Sequence, residues 1–344
     1  MKPTEPKYRK NSRAYSVMLF ILMFTMVGCG EDDEDDDDPI LEPTAKFEAD
    51  RLTVLEGDTI HFIDRTKNDP SSWLWLFGDG NTSTDQEPAH VYNLAGTYTV
   101  ELEATNEGGT SSLEKADYIT IIETGTLTDE RDGNTYKTVE IGEQVWMAEN
   151  LKYLPSVTTV PDHSYTDPLY YVFGYKGTDI NEAIATNNYL TYGVLYNWSA
   201  LMNGEQSNNP GGVQGVCPAG WHVPSTGEWT ELIAHMGGID VAGGKLKEDG
   251  ILHWNMPNTG ATNETGFTAL PGGGYYAYTG DPVVDAQGPS FWFRGGYGSF
   301  WSATEMDDKI AWYYHMNGNA EGIYLVDQMP NSKGYGLSVR CIQD

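Results

Sequence analysis

The sequence predicts a mainly β chain: a β-sandwich over residues 44–123, followed by an α+β unit over residues 124–344. Three observations point there. Short runs of alternating apolar and polar residues, separated by Gly, Asp and Asn turns, fill the first unit. One strongly signalled helix, beginning after Ser225, stands in the second. The remainder is so rich in glycine and aromatic residues that much of it must be ordered loop and short strand.

The first 28 residues belong to neither unit. Lys2, Lys7, Arg9, Lys10 and Arg13 outweigh Glu5, and the apolar run "VMLFILMFTMVG" follows from Val17 to Gly28. That run is too short to cross a hydrocarbon core of ~30 Å, so residues 1–28 read as a secretory signal. No later segment is apolar enough to span a bilayer. The signal ends in Met26-Val27-Gly28-Cys29, which resembles a bacterial lipobox with Met in place of the usual Leu. The resemblance implies that Cys29 is lipidated and joins the protein to a membrane, each buried CH₂ of its acyl chains contributing ~0.8 kcal/mol. Eight consecutive acids, Glu31 to Asp38, come next. They repel one another, so residues 29–43 form a solvated tether, and at ~3.3 Å per residue it reaches roughly 45 Å. An acidic cluster after the lipidated cysteine resembles the surface-export signal of Bacteroides-type lipoproteins, which implies an outer-membrane location facing the exterior.

Charge excludes one class of partner. The chain has 20 basic and 50 acidic residues, a net charge of -30 that becomes -34 without the signal. Nucleic acid is therefore no partner, because phosphate binding needs clustered Lys and Arg.

Within residues 44–123, "AKFEAD" sets Ala45, Phe47 and Ala49 on one face, and "TYTVELEATN" turns Tyr98, Val100, Leu102 and Ala104 inward. Between them "WLWLFGDGNTST" sends Trp75 and Phe77 to one face and turns at Gly78-Asp79-Gly80-Asn81. Trp75 to Gly80 and His90 to Val100 carry the W-x-F-G-D-G and H-x-Y-x-x-x-G-x-Y-x-V hallmarks of a PKD domain. The resemblance implies an Ig-like sandwich, a module that often serves as spacer or binding unit on secreted and surface proteins. Asp79 reads as a turn residue and Trp73 as packing rather than as ligand contacts.

In residues 124–344, Tyr136, Val139 and Ile141, then a Gly142-Glu143-Gln144 turn, then Val145 and Met147 predict a hairpin. Ser225 and Glu228 make a capping box for a helix whose Trp229, Leu232, Ile233 and Met236 share a face and which Gly237 stops. Cys217 and Cys341 are an even pair in an exported chain and read as a disulfide closing a long loop, worth ~4 kcal/mol in the chain-entropy view. Six ordered stretches, "DERDGNTYKTVEIGEQVWMAENL", "YGVLYNWSAL", "CPAGWHVPSTGEWTEL", "GFTALPGGGY", "GSFWSATE" and "YGLSVRCIQD", resemble the FISUMP family, the Fibrobacter succinogenes major paralogous domain. Two of them also look like formylglycine-generating-enzyme and C-type-lectin sequences, which implies a C-type-lectin-like α+β fold.

No catalytic set stands out. The two cysteines fit a disulfide better than an oxidase centre, and Met256-Pro257-Asn258 lacks the first carboxylate of a calcium-dependent lectin motif. No cofactor is therefore expected, and calcium is left open without a motif to hold it. Candidate carboxylate pairs for a glycosidase are too many for spacing to single one out. What remains is surface for binding: eight of the ten Trp and 17 of the 22 Tyr follow residue 125. Rings stack on the apolar faces of sugars while amides take the hydroxyls. The loop residues Trp254, Asn255, Asn258, Tyr275, Tyr276, Tyr278, Phe291 and Trp292 are the expected ligand contacts. The sequence thus predicts a non-enzymatic, lipid-anchored surface protein that binds a glycan or a surface protein. A structural component of a surface layer or appendage, and an enzyme acting on polysaccharide or protein, are the alternatives.

Overall fold

A computed structural model describes residues 39–209, 211–276 and 289–344. Cys29 and the acidic run lie outside the described residues, as does Tyr278. The chain is mainly β, and residues 40–344 form one compact unit.

Eight strands build the first domain: β1 (Phe47–Ala49), β2 (Thr53–Leu55), β3 (Thr59–Asp64), β4 (Ser72–Leu76), β5 (Thr82–Ser83), β6 (Ala89–Val91), β7 (Gly96–Asn106) and β8 (Gly109–Ile122). They form a sheet ordered β1-β3-β6 and a sheet ordered β2-β8-β7-β4-β5, in which β2 runs parallel to β8. The expected alternation holds: Phe47, Trp75, Phe77, Val100, Leu102 and Ala104 are buried, and Glu101 opposes Glu114 on the outer face. Gly78 makes the predicted turn at φ +85, and a Cβ there would sit 2.4 Å from the Thr99 carbonyl oxygen, so only glycine fits. Asp79 accepts from the Asn81 amide at 3.0 Å and pairs with His90 Nε2 at 2.8 Å, which fixes the turn. Trp73 donates its Nε1–H to Asp64 Oδ2 at 2.9 Å and packs against the sandwich core.

Leu41 and Glu42, expected in the tether, instead hold to the sandwich, their carbonyls accepting from the side-chain amides of Asn106 at 2.8 Å and Asn68 at 2.7 Å.

The second domain begins with β9 (Gly125–Thr128), β10 (Thr135–Ile141), β11 (Gln144–Met147) and β12 (Tyr170–Tyr171), followed by α1 (Ile180–Ile184) and α2 (Asn187–Tyr192). Then come β13 (Leu195–Tyr196), α3 (Trp198–Met202), β14 (Trp221–His222), α4 (Thr226–His235) and α5 (Ala242–Leu246). The last strands are β15 (Gly274–Tyr276), β16 (Ser290–Trp292), β17 (Tyr297–Glu305), β18 (Ala311–Asn317), β19 (Ile323–Val326) and β20 (Ile342–Gln343). A five-stranded sheet ordered β14-β20-β11-β10-β9 carries the predicted hairpin. Its turn is one residue shorter than expected, because Gln144 pairs with Ile141 and accepts the Trp146 indole N–H at 3.0 Å, which draws it into the strand. The capping box forms as predicted, with Ser225 as N-cap of α4 and Gly237 at φ +95 beyond its end.

Two observations explain how so few regular elements hold together. Cys217 and Cys341 are disulfide-bonded across 124 positions of sequence. Arg340 is fully buried and donates to Asn150 Oδ1 and to the carbonyls of Met147, Phe267 and Thr268, with Phe267 beneath its guanidinium. One cation thereby ties the end of β11 to the loop carbonyls of Phe267 and Thr268.

The domains share a joint rather than a free linker. Leu55 of β2 is buried in the core of the second domain beside Val139 and Phe267. Asp249 Oδ2 accepts the Leu52 and Thr53 amides at 2.6 and 3.2 Å, and Lys137 Nζ donates to the Glu56 carbonyl at 2.7 Å.

Candidate functional site

The loop rings expected to meet a ligand are largely core. Trp254 is 2% exposed, donates its Nε1–H to the Ala269 carbonyl at 2.9 Å and lies beneath the Lys247 ammonium. Tyr275 is fully buried and stacks on Tyr171 at 4.2 Å, and Tyr276 is buried under Phe293 and Tyr335. Asn258 is a loop staple, its buried amide donating to the carbonyls of Glu248 and Gly250. These four depart from the expectation: Trp254 and Asn258 are drawn in by buried hydrogen bonds to carbonyls, and at Tyr275 and Tyr276 glycine lets backbones approach closely, since a Cβ on Gly273 would sit 2.3 Å from the Trp292 carbonyl oxygen. Asn255 is exposed beside Gly295, to which its amide N–H donates at 2.7 Å. Phe291 and Trp292 are half-buried, Phe291 against Phe173 and Tyr275.

A different set of rings reaches the surface together. In β17, β18 and β19, Ser299 pairs with His315 and His315 with Tyr324, so these side chains share one face of the sheet. Tyr297, two residues before Ser299 on that face, lies 4.5 Å from the His315 ring, and Tyr324 flanks His315 at 6.4 Å. Phe293 stands edge-on to Tyr297 at 4.7 Å, and Trp292 lies 6.0 Å from Phe293. The run Trp292, Phe293, Tyr297, His315, Tyr324 is a continuous aromatic strip, open to solvent chiefly through Phe293 (44%) and Tyr324 (45%).

Phe293 holds a left-handed backbone, φ +66, where a bulky residue costs roughly 1–2 kcal/mol. A three-residue turn fixes it: the Phe293 carbonyl accepts from the Gly296 and Tyr297 amides at 2.9 and 3.0 Å.

The strip carries no charge near neutrality. Burial pushes His315 down to about 4, and burial lifts Tyr276, edge-on to Phe293, to about 12. Asn317 on the same sheet face and Asn255 nearby supply amide groups. Uncharged rings with flanking amides suit stacking and hydrogen bonding rather than proton transfer. Three carboxylates of the second domain are engaged elsewhere. Glu228 closes the capping box and binds His222 Nε2 at 2.6 Å, Glu149 pairs with Lys152 at 3.1 Å, and Glu305 pairs with Lys333. Among the described residues no three His, Cys, Asp or Glu side chains gather as a metal would need.

Phe293, Tyr297, His315 and Tyr324 were not among the expected contacts. The alternation of "YGSFW" and "AWYYHMN" puts Tyr297 and His315 on strand faces, but only the register of three strands brings them together.

Comparison with known proteins assigns both domains. A PKD domain matches residues 41–121, in keeping with the Ig-like sandwich. Collagenase ColA of Bacillus cereus is 32% identical over 142 residues, covering 40% of this chain and 13% of that protein, and a microbial collagenase of Vibrio alginolyticus is 42% identical over 57 residues, 15% and 7%. These similarities fall on the PKD-like part, so the chain spans a small fraction of its curated relatives. Among solved structures, the PKD1 domain of the Vibrio cholerae metalloprotease PrtV is 28% identical with a TM-score of 0.21, covering 23% of this chain and 99% of that one. The strip, the disulfide and Arg340 all lie within residues 139–343, which match the Fibrobacter succinogenes major domain over more than half of the chain, and the protein belongs to that family.

Proposed function

We propose that this is a lipid-anchored, surface-displayed, non-catalytic binding protein whose second domain recognises a glycan or another cell-surface component through the aromatic strip. The observation that carries the reading is Phe293, held in a left-handed backbone with its ring exposed and in line with Tyr297, His315 and Tyr324. Small sheets, a single helix of ten residues and long loops support a C-type-lectin-like description of this domain. The lipobox at Cys29 and the acidic run support anchoring and display on the exterior of an outer membrane. A PKD sandwich fits a surface-binding role as spacer. Because the collagenase similarity stays within the PKD-like part, it lends no weight to an enzymatic reading.

Soluble residues 40–344, applied to a broad glycan array and to host and bacterial surfaces, test the proposal. Saturable binding is expected on at least one. Absence of binding together with self-association of the protein would instead favour a structural component of a surface layer, with the strip buried between copies.

A further inference from the structure

One face of the five-stranded sheet carries a groove of about 630 Å³. Strand register builds it. Glu140 pairs with Val145, and Trp146 pairs with Ile342, so Val145 stands across from Gln343, which in turn pairs with Trp221. Residues directly opposite share a face, so Glu140, Val145, Gln343 and Trp221 form one row across four strands. On β9, Gly125 pairs with Thr138, and the same register two residues on sets Glu123 across from Glu140. All of these residues line the groove.

Polar groups at both of its ends are unanswered. Glu123 and Glu140 are exposed, and among the described residues neither carboxylate has an ion-pair or hydrogen-bond partner. Like charges facing each other on neighbouring strands are destabilising, and no cation of the chain lines the groove to offset them. Beside them Thr138 is only 6% exposed, yet its hydroxyl bonds to nothing. It points at the bare Cα of Gly125, where a Cβ would lie 2.5 Å from Oγ1. At the far end Trp221, also 6% exposed, has an indole N–H without an acceptor. Neither atom is sealed from solvent, so a ligand can reach both.

These groups select the ligand. Three acceptors around one gap, two of them carboxylates, match the three N–H donors of a primary ammonium. Calcium would need six or more oxygens, and among the described residues no metal-binding cluster forms. The wall beside the acids is apolar, with Ile122, Leu127 and Val145, which suits a methylene stem and opposes the hydroxyls of an amino sugar. Trp221 calls for an oxygen acceptor three strand spacings from Glu140, about 14 Å, which a peptide carbonyl supplies and a polyamine does not. A lysine within an extended peptide has the ammonium, the stem and the carbonyl together.

We propose that this groove binds a lysine-bearing peptide segment of a partner protein, with the ammonium seated among Glu123, Glu140 and Thr138 and a peptide carbonyl accepting from Trp221 Nε1. The site lies on a different sheet from the aromatic strip.

The test titrates isotope-labelled residues 40–344 with acetyl-Gly-Gly-Lys-Gly-Gly-amide and follows NMR signals, with spermidine and glucosamine as the other ammonium sources. Saturable shifts of the Glu123, Thr138 and Glu140 amides and of the Trp221 indole N–H are expected, weakening as salt is raised. The same peptide carrying acetyl-lysine, which has no charge, should shift none of them. Glu123→Gln combined with Glu140→Gln should abolish binding while keeping or raising the thermal midpoint, because it removes a like-charge pair. Thr138→Val and Trp221→Phe, which each remove one hydrogen-bonding group, should weaken binding about fivefold. Tyr324→Ala on the strip should leave it unchanged. Thermal midpoints of all variants show whether the fold is kept. The proposal is overturned if the lysine peptide shifts none of these signals, if the acetyl-lysine peptide shifts them equally, if the double glutamine variant binds like the wild type, or if spermidine or glucosamine binds more tightly than the peptide. Unchanged affinity in Thr138→Val or Trp221→Phe would overturn the role given to that residue.

Discussion

His222 shows how one side chain ties a β-strand to a helix. Its Nε2 lies 2.6 Å from Glu228 and its Nδ1 2.7 Å from Asp344, so both ring nitrogens face carboxylates and the imidazolium is the matching form. Burial alone would lower its pKa, but the hydrogen bonds to Glu228 and Asp344 outweigh it and raise the pKa above 6.5. Glu228 is shifted the other way: burial would raise it, and His222 and Ser225 hold it below 4.5. Stability from His222 is thus fully present below pH 6.5 and lost as pH rises through its folded pKa, while that from Glu228 is lost as pH falls below 4.5. Thermal midpoints measured across pH should therefore decline above 6.5 in the wild type, and His222→Gln should flatten that limb. Phe293 gives a second test. Because its φ is +66, Phe293→Gly should be more stable than Phe293→Ala by about 1 kcal/mol in chemical unfolding, the reverse of the usual order.

At the scale of elements, local chemistry was legible and register was not. The capping box of α4 depends on residues three apart, Ser225 and Glu228, and both bonds formed as read. Ser225→Ala should cost about 1 kcal/mol by denaturant midpoint, and Cys217→Ala with Cys341→Ala about 4 kcal/mol or more, since the bridge closes 124 positions. Trp254 looked like a loop ring because glycine and asparagine surround it, yet its indole partner Ala269 is 15 residues on. Nothing local announces that contact. Likewise Tyr324 stands alone in "GIYLV", and it joins Tyr297 only through two strand pairings that a period-two pattern cannot supply. The hairpin turn after Ile141 was misplaced by one residue because the Gln144–Trp146 hydrogen bond, a side-chain preference, decided where the strand begins.

At the scale of the whole molecule, the sandwich carries its two attachments at opposite ends. The described chain docks at the β7–β8 hairpin tip through Asn106, whereas the second domain is held at the other end of β8, near Leu55 and Ile122. The 14 residues of β8 set these ends roughly 45 Å apart at about 3.3 Å per residue. With Leu55 in the second core and Asp249 bonded to β2, the two domains should unfold in a single calorimetric transition. Leu55→Asp, which places a carboxylate in that joint, should split it in two. A joint of this kind agrees with the proposed role in contact, and the most direct test is affinity measured with and without the exposed rings of the strip. On any glycan or surface that residues 40–344 bind, Phe293→Ala combined with Tyr324→Ala should lose at least about tenfold in affinity with the disulfide and fold intact. Undiminished binding by that double variant would contradict the assignment of the strip as the contact face.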